Sequence, residues 1–259
     1  MPFADLPNAR IHYALSGPAN APVLILSTSL GTDYTLWDPQ APAFEKQFRL
    51  LRYDMRGHGK SSVPKPPYAV AGDLLPDLLA LADSLSIARF HLCGLSVGGM
   101  IGMTLALQAP QRLHKMVLSN TAVKIGTLES WKTRIETVSS KGMKEIAPIT
   151  RDRWFTKQFQ AASPEAVAKT MLVVESLDPE GYVGGCCAVR DFDFRGRLSA
   201  IRIPTLVISG THDPAATTAD GHVLAEQIPG ARYVELNASH LSNIEAADSY
   251  TSTVLDFLS

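Results

Sequence analysis

The sequence predicts an α/β fold: a mostly parallel central sheet flanked by helices, with a block of helices inserted into it. Three observations predict this class. Short apolar runs alternate with helical stretches over residues 1–122, and again over 199–259. One run, Val23-Leu24-Ile25-Leu26, is apolar without alternation, as a strand covered on both faces requires. Between residues 123 and 198 the strand signals stop and helical spacing alone remains. A chain of 259 residues can bury the core of one large domain or of a domain plus an insertion.

Taken in order, residues 9–16 alternate as a strand and Gly17-Pro18-Ala19-Asn20 closes a turn. The apolar strand from Val23 leads into a small polar loop, Ser27 to Asp33, and then to Trp37. Phe48 to Asp54 is the next strand, followed by Met55-Arg56-Gly57-His58-Gly59-Lys60-Ser61 and a proline-rich loop through Pro67. Asp73 to Leu85 is a helix with Leu74, Leu78, Leu81 and Leu85 on one face. Arg89 to Cys93 is a strand, Gly99 to Ala109 an apolar helix stopped by Pro110, and Met116 to Ser119 a strand. In the insertion, Leu128, Trp131, Ile135, Val138 and Ile146 recur at helical spacing. Ser163-Pro164-Glu165 and Asp178-Pro179-Glu180 read as N-caps followed by a first-turn proline. The core then resumes with a strand over 204–210, a helix over about 217–228 ended by Pro229-Gly230, a strand over 232–236 and an amphipathic helix from Asn243 to Leu258. The expected division is a core of 1–122 plus 199–259 with a helical cap over 123–198.

Between the fourth of these strand signals, Arg89 to Cys93, and its helix lies Gly94-Leu95-Ser96-Val97-Gly98. A Gly-x-Ser-x-Gly at a strand-to-helix turn is a nucleophile elbow. Its glycines allow the sharp bend, and the helix N-terminus behind Ser96 favours a developing anion. A serine hydroxyl needs a base within hydrogen-bond reach, and after an elbow serine the expected order is Ser, acid, His. Asp213 follows the 204–210 strand and His240 follows the 232–236 strand, so all three candidates sit at carboxyl ends of strands. Of the seven histidines only His240 combines that order with a strand end. Asp220 lies inside the next helix, and the other acid position, after the 116–119 strand, carries Asn120, which cannot ionise. The backbone amides of Val97 and Leu30 are the candidate oxyanion donors.

Composition excludes several classes. Hydrophobic residues make up 46%, charged residues 19%, and the formal net charge is −1, with no basic run or acidic tail. Neither nucleic acid nor an anionic membrane surface is an expected partner. Met1 to Asp5 lacks the basic start and apolar stretch of a signal peptide, and no apolar run would span a bilayer. Of three cysteines, Cys93 reads as a small buried hydrophobe, and adjacent Cys186 and Cys187 would make a strained bridge. No metal-ligand spacing appears, so no metal is expected, and the expected setting is the reducing cytoplasm.

Ser29-Leu-Gly-Thr-Asp33 with Trp37, Asp54-Met-Arg-Gly-His-Gly-Lys-Ser61, Gly94 to Gly99, Ser119-Asn-Thr-Ala122, Gly210-Thr-His-Asp213 and Ser239-His240 together resemble the α/β-hydrolase superfamily. Gly184-Gly-Cys-Cys-Ala188 followed by Arg190-Asp191 is similar, more narrowly, to bacterial 3-oxoadipate enol-lactonases. The resemblance implies an α/β-hydrolase fold with an inserted cap. It also implies a cofactor-free serine hydrolase that opens a small lactone bearing a carboxylate, within aromatic-compound catabolism. Such a substrate wants a cation. Arg134, one turn from Trp131, is the first candidate; Trp154 and Arg190 complete the expected pocket, and Arg190 could instead pair with Asp191 or Asp193. The same triad would serve a general carboxylesterase, a carbon–carbon bond hydrolase, a perhydrolase or a receptor of this fold. A dehalogenase is disfavoured, because its elbow nucleophile would be aspartate.

Overall fold

The computed structural model describes residues 2–259; of the Met1 to Asp5 segment, Met1 lies outside the described residues. Eight strands form one sheet: β1 (Phe3–Asp5), β2 (Arg10–Ser16), β3 (Val23–Ser27), β4 (Arg49–Tyr53), β5 (Phe90–Leu95), β6 (Leu113–Ser119), β7 (Thr205–Gly210) and β8 (Arg232–Leu236). Their spatial order is β1-β2-β4-β3-β5-β6-β7-β8. β1 and β2 pair antiparallel, β2 pairs antiparallel with β4, and every later pairing is parallel. β5 and β7 are buried at every residue, and apart from His91, Thr205 and Ser209 their sequences are apolar without alternation.

The helices are α1 (Ala41–Phe44), α2 (Leu75–Ser84), α3 (Val97–Gln108), α4 (Leu128–Lys141), α5 (Met143–Trp154), α6 (Lys157–Ala162), α7 (Pro164–Ser176), α8 (Pro179–Asp191), α9 (Thr218–Gln227), α10 (Ser242–Glu245) and α11 (Ala247–Leu258). Five of them, α4 to α8, follow one another between β6 and β7. This is the expected fold class, a mostly parallel sheet flanked by helices.

Local differences from the sequence reading have physical causes. The three-residue edge strand β1 is too short to show alternation. The expected C-terminal helix is broken into α10 and α11 at Ala246, which leaves helical geometry at φ −118°, ψ 47°. Leu128 sits at helical spacing but begins α4 with two thirds of its surface exposed. Asp178 caps α8 by accepting from the amides of Glu180 and Gly181, whereas the Ser163 side chain makes no capping bond at α7. Cys93 is fully buried, and all three cysteines are free. Among the described residues no helix is long and apolar enough to cross a membrane.

Candidate active site

β5 ends at Leu95 and α3 begins at Val97, so Ser96 alone makes the turn, with φ 55° and ψ −111°. Its flanking glycines are required by close approach. A Cβ on Gly94 would overlap the Gly98 carbonyl, and one on Gly98 would overlap the Ser27 carbonyl at the end of β3. The first amide of α3, Val97, precedes the intrahelical ladder, and among the described residues it has no acceptor. Its counterpart lies in the loop after β3. There Thr32 donates its amide (3.2 Å) and hydroxyl (2.8 Å) to the Ser29 carbonyl, closing a turn around Leu30 and Gly31.

Asp213 follows β7 and His240 follows β8, and the parallel pairing of those strands brings them together. His240 Nδ1 donates to Asp213 Oδ2 at 2.8 Å, with both side chains almost completely buried. Asp213 Oδ2 also accepts from Asn120 Nδ2 at 3.0 Å, and Oδ1 accepts from the amides of Ala215 (2.8 Å) and Ala216 (3.1 Å). Burial pushes the Asp213 carboxyl up. The charge and hydrogen bond of His240, with the Asn120 and Ala215 donors, outweigh it and hold the carboxyl below its ordinary range. With Nδ1 so engaged, His240 Nε2 is the ring nitrogen left for chemistry. Among the described residues no hydrogen bond joins Ser96 Oγ to Nε2; in the absence of substrate such bonds are commonly long.

Asn120 occupies the strand end where an acid was considered and excluded. It adopts φ 45° and accepts from Ser242 Oγ at 2.6 Å, which fixes its amide with the NH₂ toward Asp213. The sequence singled out the position but not this role.

A small cavity of about 60 Å³ has Ser96, His240, Leu30, Trp131, Arg134 and Trp154 on its wall. The structure therefore brings these expected residues together. Arg190 does not join them: its guanidinium forms a two-pronged ion pair with Asp191 (2.7 Å each), and Asp193 is taken by Arg195. A longer side chain at the end of α8 finds its neighbouring carboxylate before it finds the cavity. In its place stands Arg153 of α5, which sequence reasoning missed. Arg134 and Arg153 also line an adjoining groove of about 420 Å³. The Arg134 Nε donates to Tyr182 Oη (2.7 Å) and its Nη2 to Thr150 Oγ1 (2.8 Å), both neutral oxygens. Among the described residues the Arg153 guanidinium has no hydrogen-bond acceptor, and burial with the Arg134 charge nearby lowers its pKa from the ordinary value. Two guanidinium groups thus share one wall without a carboxylate partner.

A family model described as alpha/beta hydrolase fold matches residues 22–152. A protein of Acinetobacter baylyi named 3-oxoadipate enol-lactonase 2 is 40% identical over 247 residues, covering 95% of this chain and 92% of its own. A second from the same organism, 3-oxoadipate enol-lactonase 1, is 35% identical, covering 94% and 91%. The crystal structure of the enol-lactonase from Burkholderia xenovorans superposes with a TM-score of 0.97 at 47% identity, covering 99% of each chain. The chain belongs to the α/β-hydrolase fold family, in the group that holds these relatives, and is an ester hydrolase.

Proposed function

We propose that the chain opens the ring of 3-oxoadipate enol-lactone to 3-oxoadipate, a step in the catabolism of aromatic compounds, through an acyl-enzyme on Ser96. His240 Nε2 takes the Ser96 proton as Oγ attacks the lactone carbonyl, and Asp213 holds the imidazole and stabilises its cationic form. The Leu30 and Val97 amides receive the oxyanion. Collapse of the tetrahedral adduct breaks the ring C–O bond. The leaving oxygen departs as an enolate, takes the proton held by His240, and the enol tautomerises to the ketone. Water, deprotonated by the same histidine, then attacks the ester carbonyl; Ser96 Oγ leaves and takes back that proton, and the released acid ionises, leaving a dicarboxylate. Helices α4 to α8 act as a cap over this chemistry.

The observation that carries the acidic lactone over a neutral ester is the pair Arg134 and Arg153. Two cations without carboxylate partners are uncompensated until an anion arrives. Arg134 is held in place by Tyr182 and Thr150, so it is preorganised, and Arg153 is the freer of the two. The test is steady-state hydrolysis of the enol-lactone, followed by its ultraviolet absorbance, beside a neutral p-nitrophenyl ester. Arg153→Ala should raise KM for the lactone about 10-fold or more, the worth of one charge-assisted hydrogen bond. The neutral ester should change less than about twofold, the size of an incidental effect. Equal losses on both substrates would remove the arginines from substrate recognition and return the chain to the general esterases.

A further inference from the structure

The loop between β4 and α2 carries a histidine that the chemistry above leaves unused. His58 is almost fully buried, and its two ring nitrogens have different partners. Nδ1 lies 3.2 Å from the Arg56 carbonyl, and Nε2 lies 3.1 Å from the Gly31 amide nitrogen. A carbonyl can only accept, so Nδ1 carries the proton; a backbone N–H can only donate, so Nε2 is bare. Both contacts are satisfied by one neutral tautomer and by no other protonation state.

The Gly31 amide is the next peptide plane after the one that contains the Leu30 N–H. Within the Ser29–Leu30 peptide the carbonyl and the amide point in opposite directions. The two Thr32 donors grip that carbonyl from inside the turn, so the Leu30 N–H points out of it. The following plane is then held by His58. Gly31 stands at φ 90°, a region that glycine enters freely, so a hydrogen bond to its amide helps fix the turn. Nothing else among the described residues accepts from Gly31.

His58 is itself fixed at both ends. Its amide donates to the Met55 carbonyl and its carbonyl accepts from Ser61, at 3.0 Å each. Two residues earlier, Arg56 is clamped by Asp77 (2.6 and 2.8 Å) and Asp73 (2.7 Å). From the other side α8 closes the sandwich. Gly185 lies against both the Leu30 side chain and the His58 ring, and a Cβ there would collide with Leu30. Gly185 of the insertion thus borders both Leu30 and the hydrogen-bonded imidazole.

We propose that His58 is a positioning residue for the oxyanion site: as a neutral acceptor it holds Gly31 and so aims the Leu30 amide at the oxyanion that forms on the acyl group bound to Ser96. This rests on the reading of Leu30 and Val97 as the oxyanion donors. His58 touches no reacting atom and acts only through the backbone it holds. The loss of its acceptor should therefore weaken the transition state more than the bound substrate.

The experiment compares His58→Leu, which has no acceptor, with His58→Gln, whose side-chain oxygen can accept. Each is assayed for kcat and KM on the lactone and for inhibition by an alkyl boronic acid, which adds to the serine and places an anionic oxygen in the same site. His58→Leu should lower kcat about 10- to 100-fold, short of the 10²–10³ that deleting an oxyanion donor costs. KM should stay within about twofold, boronate binding should weaken by the same factor as kcat, and His58→Gln should recover most of both. If His58→Leu does not fold, His58→Ala with added imidazole takes its place, and kcat should rise saturably with imidazole at constant KM. Unchanged kcat, a loss in KM alone, or a fall in kcat with boronate binding intact each overturns the proposal. Ser96→Ala run alongside separates the two readings: if it retains full activity, the oxyanion assignment itself fails, whatever His58 does.

Discussion

Lowering the pH from 7 to 5 should remove about 2 kcal/mol of native stability through His58 alone. Burial pushes its pKa down to about 4, against an ordinary value near 6.5, while the Arg56 carbonyl and the Asp33 carboxylate pull weakly the other way. Between those two values the unfolded chain binds a proton that the native protein refuses, so stability rises with pH across that window and is lost as pH falls through it. At pH 7, above both values, the difference is negligible. At pH 5 the unfolded imidazole is almost fully protonated and the native one about nine-tenths neutral, and the difference reaches about 2 kcal/mol. The measurement is urea unfolding of the wild type and of His58→Gln at both pH values, followed by tryptophan fluorescence. His91, also pushed down to about 4 by burial and by neighbouring His114 and Lys115, is common to both proteins and cancels. The stability advantage of the wild type should shrink by about 2 kcal/mol between pH 7 and pH 5. An advantage that stays constant would mean that His58 titrates normally, and the neutral tautomer deduced from its two contacts would be wrong.

Other outcomes follow from the same geometry. Asp213→Asn should lower kcat by about 10⁴-fold, the loss known for the equivalent change in a serine protease, with the fold retained by circular dichroism; activity within tenfold of wild type would exclude Asp213 as the acid. Asn120→Leu should lower kcat about 10-fold and shift the acid limb of the kcat–pH profile upward, because a donor to the Asp213 carboxylate is lost; an unmoved limb would reduce Asn120 to packing. Gly57→Ala should lower the melting temperature by about 4–8 °C, since Gly57 has φ 73° and a Cβ there would lie 2.7 Å from the Gly181 Cα of α8. A melting temperature within 1 °C of wild type, roughly the error of such scans, would show that the insertion yields at this contact.

The sheet was legible in the sequence because burial on both faces leaves continuous apolar runs, as in Leu24 to Leu26 and Leu206 to Ile208. Elements held by few residues were not: β1 has one buried position, and the break at Ala246 depends on what α10 and α11 pack against. The meeting of Asp213 with His240 was legible because strand ends are fixed by topology, and topology follows from the order of strands and helices. Arg153 was not. A charged residue on an amphipathic helix reads as solvated whether its guanidinium meets water or a cavity, and only the crossing of α5 over the core decides which.

What sequence patterns convey least is the direction of a buried hydrogen bond. Asn120 and His58 both stood inside recognisable motifs, one as a residue unable to ionise and the other as part of a turn. Their contributions lie in which atom donates. Asn120 presents its NH₂ to Asp213 because Ser242 Oγ takes its oxygen, and His58 presents a bare nitrogen to Gly31 because the Arg56 carbonyl takes its proton. In each case a residue with no place in the chemistry sets the polarity of one that borders it. Isosteric exchange at such positions is therefore far from neutral. Asn120→Asp would place a second carboxylate against Asp213 in a site from which water is excluded, and one of the two would have to take up a proton. The acid that orients His240 would then compete with its own neighbour for that proton, so the asparagine at the end of β6 and the aspartate at the end of β7 are one functional unit.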